Sequence, residues 1–361
     1  MSHSQGSTAA VMSGASVAQT RSKSQKRRFE LPRTPSIIPG LLLAISLAVC
    51  ATLIGRWLPA LGGAVSGILL GMVIRNTCGV STVFYPGLRF GSSKILQWSI
   101  ILLGFGLSLQ QIVHTGASSL LGIAVTLAVA FTSALLLGKW FGAPARLTTM
   151  IGAGTAICGG TAIAAITPII KAEEHETAYA ISTIFIFNVL AVLTFPWLGH
   201  WLGMSDAAFG QWAGTAINDT SSTVAAAYTY SNAAGDYATI VKLTRATLII
   251  PLCLGLIAFQ VWRNKQKGGA KLHLARIFPW FIVWFLLASA ARTAGLVPEV
   301  MEAPLRMAAQ FMIVVALTSI GLSSDLRRMA ATGIKPVLMG MGAWLCVVLA
   351  SLVVLSVLGF W

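Results

Sequence analysis

Charged side chains are scarce in this chain. They make up 10% of the 361 residues, while 56% of the residues are hydrophobic. Soluble domains carry about 25% charged residues, so this composition excludes an ordinary soluble protein. Apolar windows of about 20 residues predict an all-helical, polytopic membrane protein, with no room for a large soluble domain. We place about eleven hydrophobic segments, near 37–55, 58–75, 94–113, 117–138, 148–170, 177–199, 209–230, 237–261, 276–294, 304–325 and 336–359.

Paired cysteines and clustered histidines are absent. The five cysteines are scattered without C-x-x-C spacing, the five histidines are dispersed, and no H-E-x-x-H occurs. A disulfide framework and a zinc site are therefore not supported. An intramembrane hydrolase would need a base beside Ser221 or Cys158, and no histidine is near either in sequence. We predict no enzyme activity, no catalytic residue, no metal and no cofactor beyond a coupling proton or sodium ion.

Acidic residues are few, at 10 against 25 lysines and arginines, which gives a formal charge of +15. This excess would suggest nucleic acid in a soluble protein. Here the cations flank alternate spans, so they fit the positive-inside rule, with the bilayer rather than nucleic acid as partner. We expect a multi-pass protein of the bacterial inner membrane with its N-terminus cytoplasmic and its C-terminus outside. The cations fall in five groups: Arg21 to Arg33; Arg75, Arg89 and Lys94; Lys139 and Arg146; Arg263, Lys265, Lys267, Lys271 and Arg276; Arg327, Arg328 and Lys335.

The chain divides at about residue 36. Residues 1–36 are rich in Ser, Ala, Thr and Gln and too poor in large apolar groups to bury a core, which predicts a disordered, basic cytoplasmic tail. Residues 37–361 form the predicted membrane domain.

Two segments of that domain are versions of one another. Gly-Thr-Ala-Ile begins at residue 154 in segment 148–170 and recurs at 214 in segment 209–230. Both segments place small or polar residues inside an apolar stretch. Duplicated interruptions of this kind indicate broken or re-entrant helices that meet at mid-membrane in the binding site of a secondary transporter. Inverted symmetry favours re-entry over crossing, and residues 103–109 and 318–324 suggest a second, inverted repeat.

Three charged residues fall at depth, where insertion costs roughly 2.5–3.5 kcal/mol each. Lys242 and Arg245 lie three apart on one helix face and could bind a compact anion, with Asp219 as the coupling or gating acid. Two alternatives stay open: Asp219 could neutralise one of these cations in a buried pair, or it could carry a proton or sodium ion. The remaining candidate substrate-binding residues offer backbone groups, hydroxyls or an amide: Gly154, Thr155, Gly159, Gly160, Thr161, Asn218, Ser221, Ser222 and Thr223.

Three further patterns predict structural roles. The glycines at 63, 67 and 71 form a small-residue face that packs spans together. The acidic run 173–176 caps the start of the next span. Asn188, in an apolar span, hydrogen-bonds a neighbouring helix.

The chain resembles the YeiH-like family of bacterial inner-membrane proteins, often named sulfate exporters. The resemblance rests on residues 152–165 with Lys171-Ala172-Glu173, on Ala216 to Ser221, and on Val241 to Pro251, and it extends from about residue 37 to the end. It implies the bile-acid and sodium/proton antiporter architecture, in which a core of crossed, broken helices moves against a scaffold. We therefore expect a secondary transporter that exports a small anion such as sulfate, a related sulfur oxyanion or an organic anion. The alternative is a sodium/proton antiporter centred on Asp219. Homo-oligomerisation stays open.

Overall fold

The computed structural model describes residues 36–57, 62–264, 279–327 and 333–359, and within these ranges it contains helices and no strand. The predicted all-helical class is confirmed. The expected tail over residues 1–36 lies, apart from Ser36, outside the described residues, as do Lys265, Lys267, Lys271, Arg276 and Arg328. The helices are α1 Ile38–Trp57, α2 Gly62–Thr77, α3 Tyr85–Phe90, α4 Leu96–Gly104, α5 Leu109–Phe141, α6 Ala145–Ala156, α7 Gly160–Ile170, α8 Glu174–Trp201, α9 Asp206–Ala216, α10 Thr220–Tyr230, α11 Asn232–Thr247, α12 Ile249–Asn264, α13 Trp280–Thr293, α14 Glu299–Ser323 and α15 Ile334–Val357.

Six helical stretches of the described chain are long and apolar enough to cross a membrane. They are α1, α5, α8, the α11–α12 pair, α14 and α15, and α7 and α13 are shorter apolar helices. The protein is therefore a multi-pass membrane protein by length and composition, while the count of eleven segments stays a prediction.

One boundary differs from the sequence expectation. The windows placed spans at 94–113 and 117–138, but α4 ends at Gly104 and α5 runs unbroken for 33 residues from Leu109. The physical reason is the N-cap Ser108, whose hydroxyl accepts the N–H of Gln111 at 3.2 Å, and a hydropathy average does not register a cap. Residues 105–108 thus form the connection between α4 and α5, whereas residues 318–323 belong to α14. The inverted repeat stays a prediction.

The helices pack in two groups. The first joins α1 to α4 with α13 and α14, and the second joins α5 to α11 with α15. Within the first group, α2 meets α14 along the glycine face: a Cβ placed at Gly71 would lie 2.6 Å from the carbonyl oxygen of Thr318. The predicted packing role of this face is confirmed.

Segments 148–170 and 209–230 are both helical hairpins. In the first, Thr167 of α7 lies 3.7 Å from the sulfur of Met150 in α6, so the two helices run antiparallel. In the second, the Ser231 hydroxyl after α10 donates to Asp206 of α9 at 2.6 Å. Each hairpin returns to the end of the bundle from which it started, as expected for re-entry.

Helix α8 connects the two hairpins and sets their opposite directions. Its 28 residues span about 42 Å at 1.5 Å per residue, enough to cross a bilayer. Its start carries the predicted cap: the Glu176 carboxylate accepts the N–H of Glu173 at 2.9 Å, and the Glu173 side chain caps the helix in return. The hairpins therefore enter the bundle from opposite faces. We call the face that holds the start of α8 the first face and the face that holds its end the second.

Candidate functional site

The two hairpin tips meet inside the bundle. The first tip is residues 157–159, between α6 and α7, and the second is 217–219, between α9 and α10. A Cβ placed at Gly159 would lie 3.4 Å from the Cβ of Asp219, and Gly159 has a φ of 64°. Glycine allows both this backbone conformation and this close approach.

Lys242 of α11 joins the two tips. Its ammonium donates to the carbonyl oxygens of Ile157 at 3.1 Å, Ile217 at 2.7 Å and Asn218 at 2.5 Å, and its side chain is fully buried. These carbonyls belong to the ends of α6 and α9, which helix geometry leaves without intrahelical partners. A cation at a helix C-terminus also complements the helix dipole. Lys242 therefore closes the carbonyl ends of both hairpins.

Arg245 repeats this arrangement one turn along α11. Its Nε donates to the carbonyl oxygen of Ala156 at 2.6 Å, and its terminal nitrogens donate to the carbonyl oxygens of Thr155 and Thr215. The guanidinium is fully buried. Because its fork of donors is planar, it can hold one carbonyl end from each hairpin at once.

Asp219 is not the partner of either cation. In the described part of the chain, no carboxylate oxygen lies within 4.0 Å of Lys242 or Arg245, so the buried-pair alternative is wrong. The Asp219 carboxylate instead accepts the N–H of Ser222 at 3.2 Å and a hydrogen bond from the Ser221 hydroxyl. It is the N-cap of α10.

A cavity of about 1210 Å³ reaches the tips between the two helix groups. Its wall at the tips includes Cys158, Thr161, Asp219 and Ser221, and its outer wall includes the exposed Arg89. The N-terminal ends of α7 and α10 both contribute to this wall. Their first N–H groups have no intrahelical acceptor, so they can serve an anion.

The predicted substrate-binding residues divide between this wall and the packing behind it. Gly160, Thr161 and Ser221 line the cavity, as does Asp219, whereas Lys242 and Arg245 do not. Direct anion contact by these two cations stays a prediction, and their bonds to carbonyl groups do not favour it. The other candidates lie in the tips or in helix packing: Gly154 packs against Ile163 and Ile184, Thr155 and Asn218 donate no side-chain bond, Ser222 bonds Asp219, and Thr223 bonds the Asp219 carbonyl.

Some buried polar groups at the tips have no hydrogen-bond partner in the described chain. Asn218 is fully buried at the second tip, and both its amide atoms are unpaired. Asn188 of α8 is also buried and unpaired, so the predicted interhelical hydrogen bond of Asn188 is wrong. Unpaired buried amides are costly, which makes Asn218 a candidate contact for a polar ligand or water.

The cavity wall opposite the tips was not predicted from the sequence. That wall includes Ser92, Ser93 and Gln97 from a one-turn π-helix, Gly91–Ile95, and the start of α4. π-helical turns occur frequently at functional sites. The available signal was the pair of hydroxyls, Ser92 and Ser93, that follows Arg89. The positive-inside rule accounts for this arginine but not for the hydroxyls.

Known proteins are similar to this chain over nearly its whole length. Residues 39–340 match the family model described as Conserved hypothetical protein 698. The chain belongs to this family. A UPF0324 membrane protein of Streptococcus agalactiae is 40% identical over 333 residues, which covers 90% of this chain and 98% of that protein. A UPF0324 membrane protein of Clostridium tetani is 40% identical over 334 residues, covering 89% and 97%.

The region that matches the family model, residues 39–340, includes both hairpins and α11. The names of these relatives describe a membrane protein, in agreement with the helices described above. They name no substrate.

Proposed function

We propose that this protein is a secondary transporter of a small anion, with its binding site at the N-terminal ends of α7 and α10. The observation that carries the proposal is the meeting of two oppositely directed helical hairpins at the inner end of a cavity. Half-helix ends at depth are the form in which transporters present backbone dipoles to substrates and ions.

The sign of the charge supports an anion. Lys242 and Arg245 lie behind the tips and Asp219 lies at their front, so two cations accompany one carboxylate. The N–H ends of α7 and α10 face the cavity, while the carbonyl ends of α6 and α9 are covered by the cations. Both features favour a negatively charged ligand at the inner end of the cavity.

Asp219 occupies part of the same surface. Its carboxylate holds the N–H of Ser222 at 3.2 Å, so an anion arriving at α10 competes with it. Protonation of Asp219 would weaken that competition, which is how a proton could be coupled to the anion. We assign Asp219 as the coupling acid on this ground, with sulfate and related sulfur oxyanions or organic anions as the substrate class to test.

The same carboxylate, with the Ser221 and Ser222 hydroxyls beside it, favours the sodium/proton antiporter as the second candidate. Carboxylate and hydroxyl oxygens are ligands for hard cations. This candidate predicts cation flux that requires no anion.

The test removes one N–H donor without breaking a helix. Thr220 is the first residue of α10, a position where proline is well tolerated, and Asp219 before it has the extended backbone that proline requires. The matched control is Ala145→Pro, at the exposed first position of α6.

Thermal stabilisation by sulfate, sulfite, sulfonates and dicarboxylates at two pH values, followed by proteoliposome flux under imposed pH or sodium gradients, identifies the ligand. One charge-assisted bond contributes about 1.5–3 kcal/mol, so Thr220→Pro should bind the anion roughly 10- to 100-fold more weakly than Thr220→Ala, which lacks the hydroxyl but keeps the N–H, and Ala145→Pro should not weaken binding. Sodium flux without any anion would replace this proposal with the antiporter.

A further inference from the structure

The carbonyl oxygens of Ile157, Ile217 and Asn218 converge on one point between the hairpin tips. The Lys242 nitrogen occupies that point, 2.5–3.1 Å from each oxygen. The three acceptors match the three donors of an ammonium group, whereas a neutral amine has only two. The geometry thus offers one acceptor to each N–H of a charged lysine.

Free backbone carbonyls at a helix break are also the groups with which membrane proteins hold alkali cations. In transporters, unwound carbonyls and half-helix C-terminal ends coordinate sodium, and in potassium channels carbonyl rings replace the hydration shell of the ion. The carbonyl set at the tips has this chemistry, yet a side chain of the protein already fills it.

We propose that the Lys242 ammonium is a tethered cation that occupies the place where a free monovalent cation would otherwise bind. The two hairpin tips are therefore joined without sodium. Removal of the ammonium leaves three carbonyls unpaired in a buried site. A sodium or methylammonium ion then binds to these carbonyls and joins the two hairpin tips again.

Arg245 provides the matched contrast. Its planar fork spans separate carbonyls of Ala156, Thr155 and Thr215, a set that one spherical ion does not satisfy. We expect the loss caused by Arg245→Ala to be recovered by millimolar guanidinium and not by sodium or methylammonium. The sites left empty by Lys242→Ala and Arg245→Ala thus accept different cations.

The experiment measures thermal unfolding midpoints of the full chain in detergent, without any candidate substrate. Wild type, Lys242→Ala, Lys242→Gln and Arg245→Ala are compared in gluconate salts of sodium, potassium, methylammonium and choline at equal ionic strength, and in the choline salt with millimolar guanidinium added. Wild type should unfold at the same temperature in sodium as in choline. Lys242→Ala should unfold earlier in choline, with an upward shift that saturates as sodium or methylammonium is added.

Three results would overturn the proposal. They are sodium-specific stabilisation of wild type, a folded Lys242→Ala that responds to none of the small cations, and failure of both Lys242 variants to fold even when prepared in sodium or methylammonium. The readout needs no anion substrate, so its failure leaves anion transport standing, and loss of anion transport leaves this result standing.

Discussion

The guanidinium of Arg306 in α14 lies 2.7 Å from the carboxylate of Asp236 in α11, and so joins the two helix groups. Tyr228 of α10 donates to the other oxygen of the same carboxylate at 2.5 Å. Asp236 lies near the start of α11, at the second face, whereas the cavity includes the end of α14 at the first face. The pair therefore holds the two groups together on the side away from the cavity.

We expect Arg306→Gln to lower the free energy of unfolding by about 1.5–3 kcal/mol, because it strands a mostly buried carboxylate. The control is Arg146→Gln, which breaks a 3.8 Å pair with Glu173 whose side chains are 48% and 63% exposed, and which should cost about 1 kcal/mol or less. Denaturant titration in detergent measures both. If the pair is a unit, Asp236→Asn should add little to Arg306→Gln, and full additivity would contradict the coupling.

The glycine face of α2 gives a second prediction. A Cβ at Gly71 would lie 2.6 Å from a backbone oxygen of α14, whereas a Cβ at Gly63 would meet nothing nearer than the Thr52 Cα and a Val314 methyl, both at 3.5 Å. Overpacking costs typically about 1–3 kcal/mol, so Gly71→Ala should destabilise by that amount. Gly63→Ala should be close to neutral, and equal losses for the two variants would show that contact with α14 is not the cause.

Asp219 carries two roles that substitution can separate. Asparagine is as good an N-cap as aspartate, so Asp219→Asn should keep the cap on Ser222 while removing the charge. Asp219→Ala should cost about 1 kcal/mol from loss of the cap, measured by thermal unfolding.

The charge should show in ligand binding instead. Without the competing carboxylate, Asp219→Asn should bind the identified anion more tightly than wild type at neutral pH, and its affinity should depend less on pH, as isothermal titration would report. Weaker binding with intact stability would assign the carboxylate a direct attractive role and contradict the competition argued above.

Sequence patterns were sufficient to predict that the two helix breaks meet. They were insufficient to predict which groups form hydrogen bonds there. Repeated Gly-Thr-Ala-Ile marked both breaks, and charge at depth marked Asp219, Lys242 and Arg245. The pattern could not tell which groups the cations bind, because the acceptors are backbone carbonyls that every residue carries and that only the break leaves free. The sequence pattern therefore suggested side-chain or substrate partners for Lys242 and Arg245. In the fold, their partners are backbone carbonyl groups at the ends of α6 and α9.

The opposite wall was hidden for a different reason. The one-turn π-helix at Gly91–Ile95 places Ser92 and Ser93 on the cavity, and a change from α to π hydrogen bonding leaves no periodic signal in so short a segment. Gly91 allows this segment to approach α14 closely, because a Cβ on it would lie 2.3 Å from the Ser319 hydroxyl oxygen. That contact is a tertiary one, which local sequence does not encode.

The cavities also predict how the protein lies in the membrane. The large cavity includes Ser93 and Ser324, and a second cavity of about 640 Å³, at the start of α5 on the second face, includes Ser118. Arg75, Arg89 and Lys94 belong to the helix ends beside the large cavity, so the positive-inside rule predicts that its mouth is cytoplasmic. In a variant lacking the five native cysteines, we expect Ser93→Cys, at an exposed position of the cavity wall, to react with a membrane-impermeant thiol reagent in inside-out vesicles. Ser118→Cys should react in right-side-out vesicles instead. Reaction of Ser93→Cys only in right-side-out vesicles would invert the topology and place the cavity mouth outside.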